Sequence, residues 1–319
     1  MIAAEASFGV PEATSKGFVL RHATFTFDGI QELIETPILR ADPNPYFDAR
    51  GMKKVSGQIT AAVSADEFGV LAFLFLGDYA VSGTGPYEHL YKVDTSVLDS
   101  VLVQVSDMEL DKHDLFLGCY ISGLSYGTVT KGSSEMLMVT IDFYCSGAYA
   151  LNSGDDEDAT PVTYTDLLHT MPELVVNVDA GDTAIISEIS YAMTRTISGN
   201  GVLDGTLFDS DAEQQKYAFD FTIKGWRDSG DTILGYDDAA EHIFLITSPR
   251  PGAADRSVEI KHSEAFVFNS EGGGGVQGEG PVMATARVRP FYVNHGDESS
   301  IVVTIDSDVA DYTAAIQTA

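Results

Sequence analysis

Carboxylates, seven histidines, two cysteines and one glycine-rich run are the groups in this sequence whose types could do chemistry. Asp209, Asp211 and Glu213 alternate like the opening ligands of a calcium loop, but the glycine and closing glutamate of such a loop are missing from their places. The run EGGGGVQGEG, Glu271–Gly280, has the composition of a phosphate cradle. A cradle needs a strand before it, a helix N-terminus after it and usually a lysine. Here a strand pattern follows, and Glu271 and Glu279 bring the wrong charge, so the run reads as a hairpin tip. His22, His89, His113, His169, His242, His262 and His295 never fall at HxH or HxxxH spacing. Cys119 and Cys145 form no CxxC or Cys/His metal pattern, and no GxSxG occurs. The acidic run Asp155–Asp158 reads as solvated charge, and carboxylates are too frequent for any pair to stand out as general acid and base. Neither an enzyme nor a metal or cofactor site is expected.

Charge constrains partners more than it suggests chemistry. The chain has 319 residues with 18 Lys plus Arg against 48 Asp plus Glu, a net charge of −30. Binding duplex DNA requires cations to neutralise phosphates, so sequence-specific nucleic-acid binding is not expected, and such a surface would let DNA slide past. The acid is mostly Asp (30 of 48) and Lys is scarce at 9. Self-repulsion on that scale is screened in molar salt, where the Debye length is about 3 Å. The composition reads as a halophilic or marine adaptation, with an ordinary acidic protein as the alternative. The N-terminus lacks the basic and apolar regions of a signal peptide. The longest apolar run, Val70–Leu76, is far shorter than the roughly 20 residues that span a bilayer. A soluble protein without a membrane partner is expected.

The elements that must position any site are mostly strands. Ala23, Phe25 and Phe27 alternate with Thr24 and Thr26. Val55, Ile59, Ala61 and Val63 alternate with Ser56, Gln58 and Thr60, and Leu137, Val139, Ile141, Phe143 and Cys145 with Thr140 and Asp142. In Leu115–Ile121 the alternation sets Leu115, Leu117, Cys119 and Ile121 on one face. Period two over so many segments predicts half-buried β-strands. One stretch breaks the pattern. Ser64 is placed to cap a helix with Asp66 and Glu67 in its first turn, Glu67 at capping-box spacing, and Gly77 to stop it. This predicts a short, mostly buried helix of about 12 residues. Asp78–Ser96, with Gly83, Gly85 and Pro86, has few periodic signals and reads as a long loop. Ser146–Pro161 reads as a linker.

The second half repeats the first. Ile189–Ile197 answers Arg21–Phe27, and Tyr217–Trp226 answers Val55–Val63. Arg227–Glu241 is a weaker helix candidate, followed by a strand at His242–Thr247. Lys261–Val293 parallels Asp114–Cys145, each a strand, a Gly-rich turn and a strand ending in an aromatic pair. The order strand, strand, helix, strand, hairpin thus occurs twice.

Four stretches together carry a family resemblance: GMKKVSGQITAAVSADEFGVLAFLFLGDY, the following GTGPYEHLYK, the hairpin LFLGCYISGLSYGTVTKGSSEMLMVTIDFYC and the late ARVRPFYVNHGDESSIVVTI. They resemble the tail tube proteins of long-tailed phages and archaeal tailed viruses, in the larger form with a duplicated tube domain. The likeness runs over about residues 17–306 and departs at the Asp- and Gly-rich second helix candidate. It implies a mainly β fold of two tandem β-sandwich tail-tube domains, each with a short flanking α-helix. Residues 1–150 would form the first domain, 151–186 a linker and connecting strand, and 187–319 the second. It implies a structural virion protein whose rings stack into the channel for genome ejection, in a non-contractile tail assembled in the host cytoplasm. The partners implied are other copies of the chain, as a trimeric ring with pseudo-sixfold symmetry or else a hexameric ring, and tail terminator, tape measure and distal tail proteins. Polar strand faces suit a wet lumen: Thr24, Thr26, Gln58, Thr60, Thr140, Asp142, Thr194, Asp220 and Thr222 are the lumen-facing candidates, and a net-acidic lumen is expected. Tyr79, Gly83, Gly85, Pro86, Tyr87, His89 and Tyr91 are the candidates for a ring-stacking loop, with the hairpin tips Gly127–Ser134 and Glu271–Gly280 beside them. The alternative reading is a secreted or surface β-sandwich module that binds carbohydrate or a cation.

Overall fold

A computed structural model describes residues 1–11, 16–21, 23–34, 49–94, 99–107, 109, 112–153, 160–179, 181–182, 186–200, 209, 211–226, 242–250, 253–269, 283–291, 299–313 and 316. The chain opens with β1 (Ile2–Ser7), β2 (Val10–Pro11), β3 (Gly17–Phe18), β4 (Ala23–Ile34) and β5 (Ala49–Ala62), and the helix α1 (Ala65–Leu76) follows. Next come β6 (Gly77–Ser82), β7 (Tyr87–Val93), β8 (Val101–Asp107), β9 (Lys112–Thr130), β10 (Met138–Cys145) and β11 (Tyr149–Ser153). A 3-10 turn at Met171–Glu173 leads into β12 (Val175–Val178), β13 (Gly181–Asp182), β14 (Ile186–Asn200) and β15 (Asp211–Trp226). The chain ends with β16 (His242–Arg250), β17 (Ala253–Asn269), β18 (Met283–Pro290) and β19 (Val302–Ser307).

All the strands belong to one hydrogen-bonded network, and its pairing order occurs twice. In the first half the order is β1–β8–β9–β10–β5–β4, with β2 on β1 and β11 on β9. In the second it is β12–β16–β17–β18–β15–β14, with β13 on β12 and β19 on β17. Every pair is antiparallel. The halves join where β9 runs past the end of β8 and pairs with β14, and again where β7 pairs with β19. One core cluster runs through both, from Phe18 and Ile59 to Phe221 and Val303.

The helix forms where the sequence predicts it. The Glu67 amide donates to Ser64 Oγ (3.3 Å) and the Ser64 amide to Glu67 Oε2 (2.8 Å), closing a capping box. Glu67 is wholly buried, and its charge is met by the Arg21 guanidinium at 3.1 Å through two nitrogens. A buried carboxylate without such a partner would be costly. At the other end the Phe75 carbonyl accepts from Tyr217 Oη (2.9 Å) and Arg195 Nη1 (3.4 Å), both from the second half. Arg195 places a cation at the negative end of the helix dipole, although burial depresses its pKa. One helix is therefore capped by both halves.

Three expectations need correction. Most of Asp78–Ser96 is not a loop: over its described residues β6 and β7 form a hairpin that turns at Gly83–Pro86. Its alternation, Tyr79 and Val81 then His89 and Tyr91, is short and interrupted by glycine, which hid the period. The expected linker contains β11, paired with β9 (Tyr149 opposite Phe116). In β9 the alternation breaks at Gly118, whose φ of +59° only glycine adopts readily. As a result Leu115 packs in a small separate cluster with Ala3 and Leu102, and Leu117 packs against that cluster, while Phe116, Cys119 and Ile121 enter the main core. The second helix candidate, Arg227–Glu241, and the tip Glu271–Gly280 lie outside the described residues.

Candidate functional site

The nine polar positions singled out in the sequence come together on one face of one sheet. Reading across strands, Thr24, Thr60, Thr140, Ser125, Ala192 and Asp220 stand opposite one another on β4, β5, β10, β9, β14 and β15. The next row is Thr26, Gln58, Asp142, Gly123, Thr194 and Ala218. A third runs Ser190, Thr222 and Arg287, reaching β18. The opposite face carries the row Phe25, Ile59, Ile141, Leu124, Met193 and Phe219, all buried except Phe25. Strict alternation through these strands generates both faces.

Short side chains keep the polar face low, and their polar atoms are largely paired within it. Gln58 Nε2 donates to Asp142 Oδ1 (2.8 Å), and the Thr60 and Thr140 hydroxyls are 3.2 Å apart. Thr24 and Thr194 donate to the carbonyls of Thr60 and Ala218, each at 3.4 Å. Asp220 accepts from Arg287 Nη2 (2.8 Å) and Arg289 Nε (3.3 Å). Sequence reading missed Ser125, Ser190, Arg287 and Arg289. The two arginines alternate with Ala286 and Val288, and that period was the available signal. The face carries charges of both signs. Among its described residues Asp28, Asp142 and Asp220 are set against Arg287 and Arg289, and Glu188 pairs with Lys224 at 3.4 Å.

The seven hairpin candidates divide into base and tip. Tyr91 is fully buried, with its ring 5.2 Å from that of Tyr79. His89 Nε2–H donates to the Val309 carbonyl (2.8 Å), which leaves Nδ1 to accept from the Tyr79 hydroxyl (2.8 Å). Burial lowers the His89 pKa and favours this neutral tautomer. Tyr312 closes over the same ring at 4.4 Å. Tyr79, His89 and Tyr91 are thus committed to packing. Tyr87 is half-buried, and Gly83, Gly85 and Pro86 are exposed at the tip.

Nothing in this arrangement resembles a reaction centre. The described residues contain no group of three His, Cys, Asp or Glu placed to hold a metal, and Asp209, from the supposed calcium motif, accepts a hydrogen bond from the Tyr144 hydroxyl. None of the described helices is long and apolar enough to cross a membrane. A family model described as phage tail tube protein matches residues 1–289, nine-tenths of the chain. The chain belongs to the phage tail tube protein family. It is therefore a structural protein of the virion tail, not an enzyme, and it self-associates into the tube through which the genome passes. No curated protein matches it. Among tail tube features, β19 and the segment that locks Tyr312 over His89 lie beyond the matched residues.

Proposed function

We propose that three copies of this chain close a ring with pseudo-sixfold symmetry, that the rings stack into the tube, and that the polar sheet face lines the lumen. The observation that carries this reading is the doubled pairing order. Each half presents six strands in the same pairing order, and the halves are joined edge to edge by β9 and β14. A heterologous contact repeated around an axis closes a ring, and a chain that already holds two units needs three copies where a single-unit chain needs six. On this reading residues 1–150 are the first tube-type sandwich domain, 151–186 a linker and connecting strand, and 187–319 the second domain, with α1 flanking the first. Hydroxyls and neutralised charges suit a surface along which a polyanion must slide. The tip Gly83–Pro86 and the turn after β9 are the free segments for contact between successive rings. Tail terminator, tape measure and distal tail proteins would meet the ends and interior of that tube, after assembly in the host cytoplasm.

Electron microscopy and mass measurement of purified protein test this. Hollow rings or tubes with three chains per ring are expected. Six chains per ring would replace the trimer with the hexameric alternative. A strictly monomeric protein at high concentration, in low and high salt, would refute the assembly.

A further inference from the structure

Cys119 of β9 and Cys145 of β10 stand directly opposite each other, and both side chains enter the main core. Both thiols are free and buried. The backbone hydrogen bonds fix what kind of pair they form. The Ser146 amide donates to the Gly118 carbonyl (3.0 Å), so Ser146 and Gly118 occupy a hydrogen-bonded position. In an antiparallel ladder such positions alternate with non-hydrogen-bonded ones. Cys145 and Cys119, one step along, are therefore a non-hydrogen-bonded pair. At such a pair the Cα atoms lie about 4.5 Å apart and the side chains come closest. A disulfide spans Cα separations of about 4.4–6.8 Å. The thiols already interact, since Cys145 acts on Cys119 through a side-chain hydrogen bond.

The pair sits where β9 changes neighbours. Val101 of β8 lies opposite Cys119, and from Gly123 onward β9 pairs with β14 instead. Gly118 lets the strands approach beside the pair: a Cβ there would lie 2.7 Å from Ser146 Cβ, and its φ is +59°. Burial pushes the Cys119 thiol pKa well above its usual value, and Cys145 adds to the rise. The thiolate is the attacking form, so the folded chain holds a resting dithiol that reacts when this part of the sheet opens.

We propose that Cys119 and Cys145 are a modification site, oxidised by a low-molecular-weight disulfide to a cross-strand disulfide that pins β9 to β10 beside the join of the two halves. One cysteine thiolate attacks the small disulfide, breaking its S–S bond and releasing one thiol. The other cysteine thiolate attacks the mixed disulfide, forming the Cys119–Cys145 bond and releasing the second thiol. The small disulfide takes up two electrons, and the two protons lost by the cysteines end on the released thiols. A tail protein leaves its host with the virion, and disulfides persist in an oxidising medium. The site lies within one chain and stands apart from the ring reading.

The test refolds full-length chain from urea with excess oxidised glutathione, so that burial does not block the reaction, and counts free thiols by alkylation in denaturant. Both thiols should be lost, in a species that runs as one chain without reductant and yields linked Cys119 and Cys145 peptides. Native chain with the same oxidant should reach the same product at least tenfold more slowly. Closing a loop of roughly 27 residues should raise the melting temperature by about 5 °C. Dithiothreitol should reverse that rise, and Cys145→Ala should lack it. Thiols still free after refolding, a glutathione adduct that persists on either cysteine, or a melting temperature unchanged or lowered by the bridge would overturn the proposal. Native oxidation as fast as that during refolding would overturn the resting dithiol.

Discussion

Gly69→Ala should destabilise the chain, against the usual effect of that change in a helix. Replacing glycine by alanine inside a helix ordinarily stabilises by about 1 kcal/mol. Gly69 lies in the middle of α1, where a Cβ would sit 2.6 Å from Tyr312 Cε2 and 2.8 Å from Cζ. Tyr312 is fully buried, its hydroxyl donates to Asp66 Oδ1 (2.8 Å), and its ring meets those of His89 and Tyr164. It cannot move aside without losing a hydrogen bond to a carboxylate, worth roughly 1.5–3 kcal/mol, and overpacking alone costs about 1–3 kcal/mol. The net expectation is a loss of about 1–3 kcal/mol. In a Tyr312→Ala background, itself destabilised by about 3–5 kcal/mol, the same change should recover its ordinary gain of about 1 kcal/mol. Urea unfolding of unassembled chain, followed by far-ultraviolet circular dichroism, measures all four corners of the cycle. The coupling should be about 2–4 kcal/mol. A Gly69→Ala protein more stable than wild type, or a coupling near zero, would refute the account of the C-terminal segment as a close-fitting clasp on α1.

Three further outcomes follow from the same structure. Asp220→Asn removes the counter-charge of Arg287 and Arg289. Assembled tubes of that variant should retain a short DNA duplex that wild-type tubes do not, with a log–log salt slope up to about −1.8 for two freed cations; unchanged elution would count against the polar face as the lumen. His262 is buried and its pKa is pushed down to about 4, chiefly by burial, while Nε2 accepts from Tyr191 Oη and Nδ1–H donates to the Ser300 carbonyl. An unfolded imidazole titrates near 6.5, so the unfolded chain takes up the proton first. The contribution is intact above about pH 6.5 and is lost as pH falls toward 4, on the order of 2 kcal/mol between pH 7.5 and 5. A His262→Asn variant should lose that part of the pH slope, and an unchanged slope would sink the assignment. Burial raises the Glu259 pKa, and Asp306, which stands opposite Glu88, raises it further, with Lys261 opposing and Glu88 adding to the rise. Asp306→Asn should therefore raise stability by about 0.5 kcal/mol in dilute buffer, and that gain should vanish in molar salt; a gain independent of salt would point to packing instead.

What the sequence made legible was whatever repeats at short range. Thr24 and Thr26, Gln58 and Thr60, and Thr140 and Asp142 alternate with apolar residues, and period two assigns them to one face. Ser64, Glu67 and Gly77 mark a helix by capping chemistry that acts within a few residues. That these faces join across six strands depends on pairings far apart in the chain, such as Asp142 with Gln58, and no local pattern encodes them. The hairpin β6–β7 was hidden because its aromatics are buried by a segment more than 200 residues away, as the 2.8 Å contact between His89 and Val309 shows. Gly118 inverted the expected face of Leu117 because a left-handed glycine changes the parity of a strand, and sequence does not reveal which glycines do so. Arg195 looked like one more residue of an amphipathic strand, yet it caps a helix from the other half.

Net charge and local charge lead to different expectations for passage of DNA. The chain as a whole carries −30, which suggested a repulsive lumen. On the polar face, however, Asp142 is held by Gln58, Asp220 by two arginines, and Glu188 by Lys224. At physiological ionic strength fields fade over about 8 Å, and in molar salt over about 3 Å. On the proposed lumen reading, acid farther away than that acts only weakly on a duplex sliding along this face. At contact range on the described face are hydroxyls and amides whose hydrogen bonds are largely made, guanidiniums already occupied, and the carboxylate of Asp28. Slipperiness on this account is a local neutrality, and the acid surplus serves solubility. Asp220→Asn and Asp306→Asn change the net charge by the same single unit, yet only the first should make DNA adhere.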